Sequence, residues 1–82
     1  MEIATAFGLA LRALRRQAGL TQEQLGFESG LERNFISMLE LGQRQPSLAT
    51  VFKLAKALNV APAQIVQLAD DTLKLDEAGP AP

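Results

Sequence analysis

Four side chains in the stretch SGLERNFISMLELG, residues 29–42, have the chemistry to meet the edge of a base pair. Arg33 can give guanine two parallel N–H bonds, and Asn34 can pair its amide with adenine. Ser37 can bond a base edge or a phosphate, while Met38 offers only apolar contact, for instance to a thymine methyl. The same stretch holds two acids, Glu32 and Glu40, which a phosphate backbone repels. Helical spacing separates the two sets. With Glu32 placed at zero and roughly 100° per residue, Arg33, Ser37, Leu41, Asn34 and Met38 span about 100° to 240°. Ile36, Glu40, Phe35 and Leu39 lie within about 80° of Glu32, on an inward stripe. Glu32 at the helix start suits the helix dipole. Its carboxylate can accept from cytosine N4; the plainer reading is a first-turn acid that touches no partner.

Three further residues suit phosphate. Gln22 stands where a second helix begins, and the free amides of a helix N-terminus favour an anion; simple capping is the alternative. Gln43 and Arg44 follow the stretch in a loop and are phosphate-contact candidates, or ordinary exposed loop residues. Thr21 and Ser47 read as caps, and Lys53 and Lys56 as a solvated face. The chain has no His and no Cys. A zinc site of the usual kind, a thiol nucleophile and an imidazole base are therefore excluded. With no nucleotide-binding loop either, enzymatic activity, metal, cofactor and small-molecule ligand are not expected.

Five short helices would have to position these groups. Pro is absent from 1–45 and apolar spacing is helical throughout. The first helix is expected over about 2–18, with Ile3, Phe7, Leu11, Leu14 and Ala18 as its stripe and Gly19 as its stop. The second is expected over 22–29, opened by a Thr21–Gln24 capping box and ended by Gly30. Leu25 and Phe27 are its large apolar residues. Gly26 in its middle costs about 1 kcal/mol against Ala, which points to another helix passing very close. The third is expected over 32–41, ended by Gly42. The fourth is expected over 48–58, capped by Ser47, with Leu48, Val51, Phe52, Ala55 and Leu58 on one face and Asn59 as its stop. The fifth opens at Pro62, a residue suited to a first helical position, and runs to about 69. Residues 70–76 can extend it by a turn or two, whereas EAGPAP is too small and Pro-rich to be ordered. The expected fold is all-α, a compact five-helix domain over 1–69 with an acidic, Pro-containing C-terminal tail over 70–82. Its second and third helices are joined by a Gly-containing turn, the helix-turn-helix arrangement.

At 82 residues this is one domain with a modest core. No apolar run approaches the roughly 20 residues that span a bilayer, and the start lacks the basic region of a secretory signal. A cysteine-free chain fits a reducing cytoplasm. The net charge of −1 is unevenly placed. Residues 1–69 hold seven Lys/Arg and five acids, leaving +2. Residues 70–82 hold Lys74 against Asp70, Asp71, Asp76 and Glu77, leaving −3.

Four segments carry a family resemblance: LRRQAGLTQEQL (14–25), SGLERNFISMLELG (29–42), RQPSLATVFKLAKAL (44–58) and NVAPAQI (59–65). In this order and spacing they resemble the phage-repressor and Cro-like (XRE-type) helix-turn-helix transcription regulators. The small single-domain restriction–modification controllers are the most similar kind. The resemblance covers about 7–68 and implies a lambda-repressor-like fold that binds an operator, usually as a two-fold dimer. It implies that Glu32, Arg33, Asn34, Ser37 and Met38 are base readers, that Gln22 bonds phosphate, and that Glu40 pairs with Arg15. The chain departs from the family pattern at Gly26, where Ala is usual. Leu41 stands where a polar or basic residue is common, and Ala61 where a better cap is.

The fifth helix adds a partner surface. Ile65, Val66 and Leu68 spread over a wide arc, followed by Leu73 and Leu75, more aliphatic residues than one core face needs. A C2 homodimer through this helix is expected; the alternative is that Ile65 and Leu68 are core while Leu73 and Leu75 fold back. The expected function is sequence-specific binding of a pseudo-palindromic double-stranded operator in a bacterial, nucleoid-associated setting. The alternative is a protein-interaction module, antitoxin-like or an adaptor subunit, on the same fold.

Overall fold

The computed structural model describes residues 1–78. Among them the chain forms five helices: α1 (Ile3–Gln17), α2 (Gln22–Ser29), α3 (Arg33–Glu40), α4 (Leu48–Leu58) and α5 (Pro62–Ala78). The all-α, helix-turn-helix fold is the one read from the sequence. Gly79 to Pro82, the end of EAGPAP, lie outside the described residues. Glu77 and Ala78, expected to be unordered, instead close α5.

Helix ends follow from local chemistry. The Thr21 hydroxyl accepts from the Gln24 backbone N–H at 3.0 Å, and Gln24 Oε1 accepts from the Thr21 N–H at 2.8 Å. Ser47 Oγ accepts from the Thr50 N–H at 3.1 Å. Ala61 has no side-chain oxygen to cap α5, but Gln64 Oε1 reaches back to accept from its N–H at 2.6 Å. The first four helices end alike, each with a left-handed residue: Gly19, Gly30, Gly42 or Asn59. The left-handed residue and the one after it donate to the last turn, as in Gly42 N–H to the Leu39 carbonyl and Gln43 N–H to the Met38 carbonyl. After α1, α2 and α4 the next residue is Leu20, Leu31 or Val60, and each packs on the core.

That core joins all five helices through Phe7, Leu11, Leu25, Ile36, Leu39, Val51, Leu54, Leu58 and Ile65. Burying a side chain of this size contributes about 1.5–3 kcal/mol. α5 lies along α1, and the Met1 ammonium meets Asp76 at 2.8 Å at one end of the pair. α1 also crosses the end of α3, where Gly8 is required: a Cβ there would sit 2.6 Å from the Glu40 carbonyl oxygen.

Several apolar residues are not where the sequence placed them. Ile3 is 65% exposed, and the buried side of α1 is Ala4, Ala6, Phe7, Ala10 and Leu11. Small residues there let neighbouring helices approach, which turns Ile3 outward. Leu48 and Phe52 are also exposed, because α4 presents Val51, Leu54, Ala55 and Leu58 to the core. Phe27 is 87% exposed. α2 turns Leu25 and Gly26 inward, and the next residue falls about 100° away. No helix among the described residues is long and apolar enough to cross a membrane.

Candidate nucleic-acid interface

The tight angle between α2 and α3 depends on Gly26. A Cβ there would lie 2.7 Å from the Leu31 carbonyl oxygen and 3.4 Å from the Arg33 nitrogen. The close neighbour expected from so small a residue is thus the turn that opens α3, rather than a helix flank. Gly30 adopts φ 73°, and its left-handed conformation reverses the chain within the turn.

α3 is one residue shorter at each end than the spacing suggested. Glu32 is its N-cap with extended backbone, and Leu41 its C-cap. The Glu32 side chain makes no capping bond and stays exposed beside the open helix end. Arg33 and Asn34 occupy the first turn and are exposed; Ser37 and Met38 are half-buried, and Leu41 is 62% exposed. Ile36, Leu39 and Glu40 are buried.

Glu40 is the joint of three helices. Arg15 Nε donates to its Oε2 at 2.6 Å and Nη2 to its Oε1 at 3.0 Å. Gln22 Nε2 donates to Oε1 at 3.1 Å, and Arg15 Nη1 completes the set on the Leu20 carbonyl at 2.9 Å. The side chains of Arg15 and Glu40 are 11% and 3% exposed. The hydrogen bond to Glu40, opposed by burial, raises the Arg15 pKa, so the guanidinium stays charged. The Glu40 charge is therefore compensated inside the fold, whereas Glu32 stays exposed beside Arg33. Gln22 is held at the α2 N-terminus with one amide hydrogen committed to Glu40 and one left over.

Two recesses flank the first turn of α3. One, about 470 Å³, is lined by Arg15, Thr21, Gln22, Glu23 and Arg33 and brings the α2 N-terminus beside Arg33. The other, about 410 Å³, is lined by Gly30, Leu31, Glu32, Asn34, Phe35 and Met38. Gln43 and Arg44 are exposed in the loop after α3. Arg44 places its guanidinium 6.0 Å from the Phe35 ring centre. The helical wheel put Phe35 on the inward stripe, and the ring does pack partly against the core; its approach to Arg44 is an addition the wheel does not contain.

The expected dimer residues divide. Ile65 is fully buried in the core and offers no surface to a partner, which corrects its assignment. Leu68 is half-buried, and Val66 is 54% exposed. Leu73 is half-buried and Leu75 exposed. Leu48 and Phe52 on α4 and Phe27 on α2 are exposed apolar residues the sequence had not marked as surface.

Comparison with known proteins places this arrangement. A family profile described as Helix-turn-helix matches residues 11–65. An uncharacterised HTH-type transcriptional regulator, y4dJ, of Sinorhizobium fredii is 38% identical over 72 residues, 88% of this chain and 94% of that one. Control protein C.BamHI of Bacillus amyloliquefaciens is 39% identical over 61 residues, covering 73% of this chain and 75% of its own. The crystal structure of the restriction-modification controller protein C.AhdI from Aeromonas hydrophila superposes with a TM-score of 0.74. It is 45% identical, over 76% of this chain and 94% of the other.

Proposed function

This chain belongs to the helix-turn-helix family of DNA-binding transcription regulators, and from that premise we propose that it binds a pseudo-palindromic operator as a homodimer, with α3 in the major groove. One observation carries the reading. The first turn of α3 exposes Arg33 and Asn34, while Glu40 is turned inward onto Arg15. Ser37 and Met38 extend the reading edge one turn further, and Glu32 stands at its start. Gln22, Gln43 and Arg44 hold the flanking phosphates; such contacts set affinity and register, and base contacts set sequence choice. The acidic residues of 70–82 stay off the DNA. The dimer forms through Val66 and Leu68 of α5 and sets two copies of α3 about 34 Å apart, one turn of duplex. Regulation is of the controller kind named for C.BamHI and C.AhdI, exerted on DNA in the bacterial cytoplasm.

A mobility shift on the DNA upstream of its own gene tests this. Arg33→Ala should lose the specific complex while circular dichroism shows an unchanged fold. Undiminished specific binding would sink the readout. An adjacent methyltransferase and endonuclease gene pair would support the controller role.

Phe27 at 87% exposure, with Leu48 and Phe52, favours a second reading as an interaction module for another protein. Co-purification with a second protein, together with no DNA binding at low salt, would select it.

A further inference from the structure

The end of α3 differs from the other three capped helix ends in one respect. After the left-handed residue, α1, α2 and α4 place Leu20, Leu31 and Val60, which pack on the core and pull the following chain inward. After Gly42 comes Gln43, exposed, and then Arg44, also exposed. The cap still forms, with the Gln43 N–H on the Met38 carbonyl at 2.9 Å. It turns the chain back with Gly42 close against Thr5 of α1 and Pro46 half-buried, while Gln43 and Arg44 between them stand out in solvent. What meets the returning loop is the Phe35 ring, half-buried on the first turn of α3, with the Arg44 guanidinium 6.0 Å from its centre.

We propose that Phe35 is a positioning residue for Arg44: its ring holds the loop guanidinium beside the first turn of α3, ready for a phosphate next to the bases that Arg33 and Asn34 meet. The inference rests on the DNA-binding reading above. A long, exposed arginine side chain samples many rotamers, and ordering it on binding costs entropy. A cation over an aromatic face is held electrostatically while its N–H edge stays free to donate. Phe35 shares a recess with Glu32, Asn34 and Met38, so the ring that the Arg44 guanidinium approaches belongs to the first turn of α3.

The test is a double-mutant cycle on two duplexes, one with the DNA upstream of the gene and one of random sequence. Arg44→Ala should weaken both and reduce the slope of log affinity against log salt by about 0.9, one phosphate contact. Phe35→Leu keeps an apolar side chain and should weaken binding roughly two- to five-fold with the slope retained, since the contact still forms. Phe35→Tyr keeps the ring face and should restore wild-type affinity. In the Arg44→Ala background Phe35→Leu should change nothing further. In the free protein, Phe35→Leu should also shift the Arg44 side-chain Nε–H resonance by removing the ring current. Equal losses from Phe35→Leu in both backgrounds, or Phe35→Tyr as weak as Phe35→Leu, would overturn the inference and leave DNA binding standing. A wild-type protein that binds neither duplex would overturn both.

Discussion

Removing the Glu40 carboxylate should be the most damaging single polar change in this domain. Glu40→Ala takes away three hydrogen bonds, two from Arg15 and one from Gln22. It leaves a guanidinium that is 11% exposed with only the Leu20 carbonyl. Breaking a buried pair by deleting one partner costs about 3–5 kcal/mol. Arg15 keeps a carbonyl and a sliver of solvent, which puts the value at the lower end, about 3 kcal/mol. An 82-residue domain has about 4–12 kcal/mol in all, so the loss is a large share of the total. At about 4–8 °C per kcal/mol for a chain of this size, the melting temperature should fall by about 12–24 °C. Urea titration followed by circular dichroism measures the free energy, and a thermal scan the midpoint. Removing both partners separates the pair from the burial of charge. Arg15→Met with Glu40→Leu should recover most of the loss, because a well-packed apolar pair is often as stable as a buried ion pair. A Glu40→Ala cost below about 1 kcal/mol, or a double variant no better than Glu40→Ala, would refute the view of Glu40 as the charge-compensated joint of α1, α2 and α3.

Other substitutions test the packing and the surfaces. Gly8→Ala should destabilise by about 1–3 kcal/mol in urea titration despite the better helix propensity of Ala, since its Cβ meets the backbone at the end of α3. Thr21→Ala should cost about 1 kcal/mol by the same measurement, the worth of the capping box that opens α2. Val66→Asp should convert a dimer to a monomer by light scattering with helicity intact, whereas Ile65→Asp should unfold the chain because Ile65 is core. A dimer unchanged by Val66→Asp would move the interface elsewhere.

Much of the fold is written in short-range chemistry. The limits of α2 and α4 follow from caps that need only three or four residues: the Thr21–Gln24 box and Gly30, then Ser47 and Asn59. Helical spacing alone separates Asn34 from Glu40 but leaves Arg33 only about 20° from it; the bonds from Arg15 are what turn Glu40 inward. What the chain does not reveal locally is how far each helix rotates about its axis. Close approach at Gly8 and Gly26 fixes α1 and α2 and leaves Ile3 and Phe27 outward, while α4 turns Val51, Leu54, Ala55 and Leu58 to the core and leaves Leu48 and Phe52 exposed. The length of α5 depends on the absence of a breaker before Gly79, which permits helix through the acidic segment to Ala78. The Phe35–Arg44 pair spans a left-handed cap, so no helical wheel contains it. Its one local sign is the polar pair Gln43–Arg44 where the other caps place Leu or Val.

The claim that α3 reads sequence is tested most directly by the ratio of affinities for the upstream duplex and a random one, measured by fluorescence anisotropy at matched salt. Arg33→Ala should lower affinity for the upstream duplex by about 1–3 kcal/mol and leave the salt-dependent affinity for the random duplex nearly unchanged, so the ratio collapses. A ratio equal to that of the wild type would contradict the account and remove Arg33 from the reading surface.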